Sequence, residues 1–173
     1  MQVYLVVGLR SGWESRRREI AATDRRTMFT LKFDTSIDIA ATRDQVWAVL
    51  TDFANYGQWN PFMVSAVGAA VAGTRMTNTI SDASGSKVTF RPTITKAEPG
   101  REMRWMGRLG MPGVFDGEHW FTIEPLATGG SRLRQGENFS GLLVPLLTGK
   151  LRRGTLPQFH AMNAALANRI AAK

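Results

Sequence analysis

Leu31-Lys32-Phe33-Asp34-Thr35-Ser36-Ile37-Asp38-Ile39-Ala40-Ala41-Thr42-Arg43-Asp44-Gln45-Val46-Trp47-Ala48-Val49-Leu50-Thr51-Asp52-Phe53 changes its hydrophobic period half-way along. Leu31, Phe33, Thr35, Ile37 and Ile39 alternate with Lys32, Asp34, Ser36 and Asp38. A period of two predicts a half-buried strand. Thr42 then reads as an N-cap, with Gln45 placed to complete a capping box. Val46, Trp47, Val49, Leu50 and Phe53 follow at helical spacing, which predicts one short amphipathic helix. Asn55-Tyr56-Gly57 ends it, and Gln58-Trp59-Asn60-Pro61 reads as a second short helical or turn element, after which Pro61 favours extended chain.

Downstream, strand and turn signals alternate. Strands are expected over 62–67, 74–80, 87–96, 102–109, 114–124 and 131–139, separated by Gly73, Ser81–Gly85, Glu98-Pro99-Gly100, Gly110-Met111-Pro112-Gly113 and Thr128-Gly129-Gly130. Such short gaps imply antiparallel hairpins. After Gly141 the period becomes helical again. Leu143, Leu147, Leu151, Thr155, Phe159, Met162, Leu166 and Ile170 form one stripe on a long C-terminal helix. Pro157, assisted by Gly154, is expected to kink or break it near 153–157. The expected fold class is therefore α+β. One seven-stranded antiparallel sheet curls around the long C-terminal helix, with two short helices after strand 1. A gap between sheet and helix would be an apolar cavity.

Composition narrows the chemistry. The chain has 173 residues, 43% hydrophobic and 21% charged, which suits one folded domain. With no cysteine there is no disulfide, thiolate metal site or cysteine nucleophile. The two histidines, His119 and His160, are too few to favour a transition-metal centre. No metal and no cofactor is expected, and no phosphate-binding glycine loop or serine nucleophile elbow is present. The formal charge of +8 permits nucleic-acid or anionic-membrane contact. Nucleic acid is nonetheless disfavoured as a partner, because the body lacks a recognition-helix motif and a dense basic patch.

Residues 1–28 read as an N-terminal extension to a domain over 29–173. Its apolar run, 3–7, precedes its arginines, the reverse of a secretory signal. No run in the chain approaches the roughly 20 apolar residues of a membrane span. The extension is expected to be weakly packed or disordered, with a basic arm or a docked short helix as alternatives. The expected location is the cytoplasm.

Strand parity supplies candidate site residues. Phe115, Gly117, His119, Phe121 and Ile123 fall on one face, as do Leu133, Gln135, Glu137 and Phe139. Met103, Trp105, Gly107 and Leu109 share the inner face, as do Val88, Phe90, Pro92 and Ile94. A hairpin turning at 126–130 and matching Ile123 to Leu133 sets Phe121 opposite Gln135 and His119 opposite Glu137. A carboxylate beside an imidazole suits general acid/base work. The other reading is a polar pair that only orients a ligand or satisfies itself. Trp59, Phe62, Phe90, Met103, Trp105, Phe115, Phe121, Gln135, Phe139 and Phe159 are the candidate ligand-binding residues; several of them would serve equally as core. Trp120 falls on the outer face, free to meet a partner or to lie under the extension.

The stretch 36–53, the segment Tyr56-Gly57-Gln58-Trp59-Asn60-Pro61-Phe62, the segment Phe115-Asp116-Gly117-Glu118-His119-Trp120-Phe121 and Phe139-Ser140-Gly141-Leu142-Leu143-Val144-Pro145-Leu146-Leu147 resemble a bacterial branch of the SRPBCC superfamily. This is the START-like, polyketide cyclase/dehydrase group with the helix-grip fold, and the resemblance covers about 30–171. It implies a small hydrophobic or amphipathic ligand held between sheet and helix. The alternative it implies is a polyketide cyclase/aromatase or dehydratase, in which His119 and Glu137 would be the catalytic proton-transfer pair. The superfamily has no universal catalytic residue to carry over.

Overall fold

A computed structural model describes residues 29–81, 84–127 and 129–172, so the expectations for the extension over 1–28 lie outside the described residues. The elements are β1 (Thr30–Ile39), α1 (Arg43–Leu50), a single 3-10 turn (Phe53–Asn55), α2 (Tyr56–Trp59), β2 (Met63–Val67), β3 (Thr77–Ser81), β4 (Lys87–Phe90), β5 (Thr93–Glu98), β6 (Glu102–Arg108), β7 (Asp116–Pro125), β8 (Ser131–Ser140) and α3 (Val144–Ala171).

Local chemistry sets the turns between these pieces. The capping box at α1 forms: the Gln45 amide donates to Thr42 Oγ1 at 3.3 Å, and the Thr42 amide donates to Gln45 Oε1 at 2.8 Å. The buried Tyr56 hydroxyl donates to the Leu50 carbonyl at 2.5 Å and ties α2 back onto α1. Burial, with Asp52 adding to it, pushes the Tyr56 phenol well above its ordinary range. Asn60 Oδ1 accepts the amides of Phe62 and Met63 at 3.0 and 2.9 Å and aims the chain into β2.

The strands do not make the single seven-stranded sheet that periodicity predicts. They form a five-stranded antiparallel sheet in the order β1-β8-β7-β6-β5 and a three-stranded sheet in the order β2-β3-β4. Pro92 is the reason. It has no N–H for a ladder, so the stretch expected as one strand over 87–96 divides into β4 and β5. The residues before β3 are drawn to the far side of that division. Gly73 donates to Ile94 O at 2.8 Å, Ile94 to Thr74 O at 2.9 Å and Met76 to Pro92 O at 2.8 Å. This seam joins the two sheets into one bent wall.

Helix α3 crosses the wall without the expected break. Pro157 and Arg153 both lie on the exposed side of the helix, where water can meet the carbonyl that loses its helical donor. Packing holds both halves of the helix: Val144 is buried at one end, and Phe159, Met162 and Leu166 at the other. Parity holds for most inner-face positions. Val88 and Leu109 are corrections, at 58% and 60% exposure, because one lies on the edge strand β4 and the other just beyond the end of β6. The outer face is a ladder of ion pairs. Arg132 grips Asp38 bidentately at 2.6 and 2.8 Å, Arg134 meets Asp34, and Arg104 bridges Glu102 and Glu118. Trp120 on this face lies over Gly136, its direct cross-strand partner, with the Arg134 guanidinium 5.8 Å above the indole.

Candidate ligand site and proton-transfer pair

Hairpin register builds the centre of the site. In β7 and β8, Ile123 pairs with Leu133, Phe121 with Gln135 and His119 with Glu137. In β6 and β7, Trp105 pairs with His119 and Gly107 with Gly117. Direct cross-strand neighbours on one face are close enough for side-chain contact. His119 accordingly stacks on Trp105, with centroids 4.8 Å apart and planes 14° apart. Its ring also meets Phe121 at 4.7 Å and the edge of Phe159, from α3, at 4.9 Å.

His119 Nδ1 lies 3.7 Å from Glu137 Oε2, an ion-pair separation that is too long for a hydrogen bond. His119 Nε2 is buried and has no hydrogen-bond partner among the described residues. The imidazole is 3% exposed and the Glu137 side chain 19%, so the carboxylate marks where the packed interior begins to open. Gly117 lies beneath it; a methyl group placed there would come within 2.8 Å of Glu137 Oε1. Gly107 lies beneath the Phe90 ring in the same way. Two facing glycines thus let the side chains of Glu137, Phe139 and Phe90 settle directly onto the sheet.

A polar network fixes Gln135. Its Nε2 donates to the Phe159 carbonyl at 2.9 Å and to Asn163 Oδ1 at 2.6 Å. Asn163 Nδ2 donates to Thr35 Oγ1 at 3.1 Å, and Thr35 Oγ1 donates to the Gln135 backbone carbonyl at 3.2 Å. Gln135 Oε1 is left without a partner among the described residues.

The ten candidate ligand-binding residues divide by depth. Met103, Trp105, Phe121, Gln135 and Phe159 are buried to 2% exposure or less, so the expected gap between sheet and helix is filled by side chains here. Phe62 and Phe139 are nearly as deep; Phe62 packs on Phe159 at 5.8 Å, and Phe139 stacks with Phe115 at 5.3 Å. Phe90 and Phe115 are half-buried, beside the glycine stretch of the sheet and Glu137. Trp59 is also half-buried, and its ring contact is with Tyr56 at 5.0 Å. On α3, Leu147, Leu151 and Leu156 are half-buried. His160 is exposed. Among the described residues no group of three or more metal-ligating side chains converges, and no helix is long and apolar enough to cross a membrane.

Sequence reasoning missed Asn163 and Asn78. Asn163 is a buried polar residue on the α3 stripe, flanked by Phe159, Met162 and Leu166. Asn78 is fully buried with both amide atoms unpartnered, and its signal was its alternation with Met76 and Ile80.

Solved structures with this architecture include aromatase/cyclases. The di-domain ARO/CYC StfQ from the steffimycin biosynthetic pathway superposes with a TM-score of 0.70 at 16% identity, covering 98% of this chain. The chain spans only 63% of that protein's length. A START superfamily protein from Mycobacterium smegmatis gives 0.62 at 19% identity, over 82% of this chain and 97% of that one. The Zhui aromatase/cyclase from Streptomyces sp. R1128 gives 0.64 at 16%, over 82% and 94%. At such identities these likenesses show the helix-grip fold alone. No match was found among curated proteins. The sequence itself carries the family: residues 30–171 match the profile described as polyketide cyclase / dehydrase and lipid transport, and the chain belongs to that family.

Proposed function

We propose that this protein binds a small hydrophobic or amphipathic ligand between the five-stranded sheet and α3. The observation that carries the reading is the change from the closed core at Trp105 and Phe159 to half-buried aromatic side chains at Phe90 and Phe115, where the partly exposed Glu137 carboxylate and Phe139 lie together over Gly117 and Phe115 stacks on Phe139. Aromatic side chains seated on the glycine stretch of the sheet offer flat apolar faces to a flat or aliphatic guest, and the partly exposed carboxylate of Glu137 beside them suits its polar end. A cytoplasmic location is part of the proposal. Nucleic acid stays disfavoured, since the arginines of the outer sheet face are committed to ion pairs. Native mass spectrometry of freshly isolated protein tests the reading. A bound small molecule, lost on denaturation, is expected; protein free of any such molecule that also takes up no aromatic or fatty probe would overturn it.

The second reading is a cyclase or dehydratase. It is favoured by the 3.7 Å approach of Glu137 to a buried imidazole whose Nε2 is unpartnered, and by the aromatase/cyclases among the structural neighbours. In that reading His119 removes a proton from the carbon next to one substrate carbonyl, that carbon attacks a second carbonyl of the same molecule to close the ring, and the imidazolium returns the proton to the alkoxide oxygen so formed. Glu137 stabilises the imidazolium between the two transfers. The two readings separate on the His119→Ala variant, argued below.

A further inference from the structure

We infer that the side-chain carbonyl of Gln135 is a preset acceptor for a hydroxyl group on the ligand, so that the site prefers a flat apolar molecule bearing an O–H over one of the same shape without it. This deepens the binding reading above and rests on it.

The argument starts from which end of the amide points where. The Phe159 backbone carbonyl can only accept, so the Gln135 atom 2.9 Å from it must be the nitrogen. The second hydrogen of that nitrogen goes to Asn163 Oδ1. Both donors are then used, and the amide cannot flip without breaking both bonds. Asn163 is held in turn by Thr35, and Thr35 by the Gln135 backbone. Oε1 is therefore a fixed acceptor, fully buried, with no donor opposite it among the described residues. Buried polar atoms are nearly always paired, and an exception at a rigidly held group asks for a partner from outside the chain.

The surrounding chemistry says what that partner is. His119 Nε2, in the neighbouring cross-strand pair, is also buried and unpartnered. Of the two orphan atoms around the cross-strand pairs Phe121–Gln135 and His119–Glu137, Gln135 Oε1 is one that can only accept. A ligand satisfies acceptors with O–H or N–H. The flat shape follows from the stacked plates Trp105–His119 and Phe115–Phe139, with interplanar angles of 14° and 26°. Because Gln135 is fully buried and its amide is bonded to α3, the ligand enters by parting α3 from the sheet, and the new hydrogen bond offsets part of that opening.

Three probes of nearly equal shape test this: 2-naphthol, 2-methoxynaphthalene and 2-methylnaphthalene, each titrated into the full-length protein by calorimetry or fluorescence. An apolar site would hold the methyl compound best, because a hydroxyl costs desolvation. The expected order is the reverse, with 2-naphthol tighter than either of the others by about tenfold or more. The methoxy compound keeps the oxygen but lacks the donor, so it should fall with the methyl compound. In folded Gln135→Met the preference should shrink to within about twofold, with 2-methylnaphthalene still binding. Equal or reversed affinities in the wild type overturn this inference and leave the binding reading standing. A preference that persists in Gln135→Met also overturns it. Failure of all three probes to bind overturns this inference, and the binding reading is then decided by the native mass spectrometry described above. The wild-type order decides the matter even where the variant does not fold.

Discussion

His119 lies flat on Trp105, 4.8 Å between ring centroids, because the two are direct cross-strand partners on the inner face of adjacent strands. The stack buries an ionisable ring to 3% exposure and turns its Nδ1 toward Glu137. A structural residue and a working residue would both look like this, and the difference is measurable.

Replacing His119 by Ala separates the two functional readings. If the protein is a carrier, affinity for the co-purified ligand changes only modestly, and circular dichroism shows the fold intact. If it is an enzyme, turnover of that compound falls by about 10²–10⁴-fold, and Glu137→Gln follows in the same direction. A loss of turnover in His119→Ala with no effect in Glu137→Gln would break the pairing of the two residues.

Phe159 connects α3 to both sheets through Phe62, His119 and the Gln135 amide. Phe159→Ala should lower stability by about 3–5 kcal/mol in urea melts. Leu146→Ser, on the same helix but 80% exposed, should change it by less than about 0.5 kcal/mol. Similar effects for both would mean that α3 does not pack on the wall as described.

Two glycines should respond with opposite signs to substitution by alanine. A methyl group at Gly136 would collide with the Phe33 carbonyl and the Trp120 indole. Backbone cannot retreat from that contact, so Gly136→Ala should cost about 3 kcal/mol or more. Gly149 lies inside α3, where the nearest atom to a methyl group is Arg153 Nη1 at 3.6 Å. Gly149→Ala should therefore gain about 0.5–1 kcal/mol. Thermal melts of both variants check the signs.

Acid should weaken the fold through the outer ion-pair ladder. The Arg132 hydrogen bonds hold the Asp38 carboxyl below its ordinary 3.8. Burial alone would raise Glu102, but hydrogen bonds from Lys96 and Arg104 outweigh it and hold the group below 4.5. A depressed folded-state pKa means that the unfolded chain takes up the proton first as pH falls. These groups therefore stabilise the fold above their ordinary values and lose that effect as pH drops through and below them. Melting temperatures should be flat above about pH 5 and fall below about pH 4. Glu102→Gln should make the decline shallower. An unchanged slope in that variant would remove Glu102 from the account.

Much of this was legible in the chain because it is local. Period two in 31–39 and the Thr42–Gln45 box are properties of neighbouring residues, and so is the α3 stripe; each appears where the sequence places it. The His119–Glu137 register was also accessible, since one hairpin turn sets it. The division into two sheets was not. Pro92 announces a lost donor, but not that Gly73, Thr74 and Met76 would bond across the gap. The break expected at Pro157 failed for a related reason: the cost of proline depends on whether the freed carbonyl meets water, and only the packed helix decides that.

The chain on its own determined the inward face of most strand positions, the strand-then-helix order outside 87–96, and the family, because alternation, capping and hairpin length act within a few residues. Tertiary structure decided how much room the interior leaves. It brought Gln135, Phe159, Asn163 and Thr35 together from β8, α3 and β1, and closed Trp105 and Phe121 beneath the helix. Burial and hydrogen-bond completion are sums over segments far apart in sequence, so no single stretch contains them.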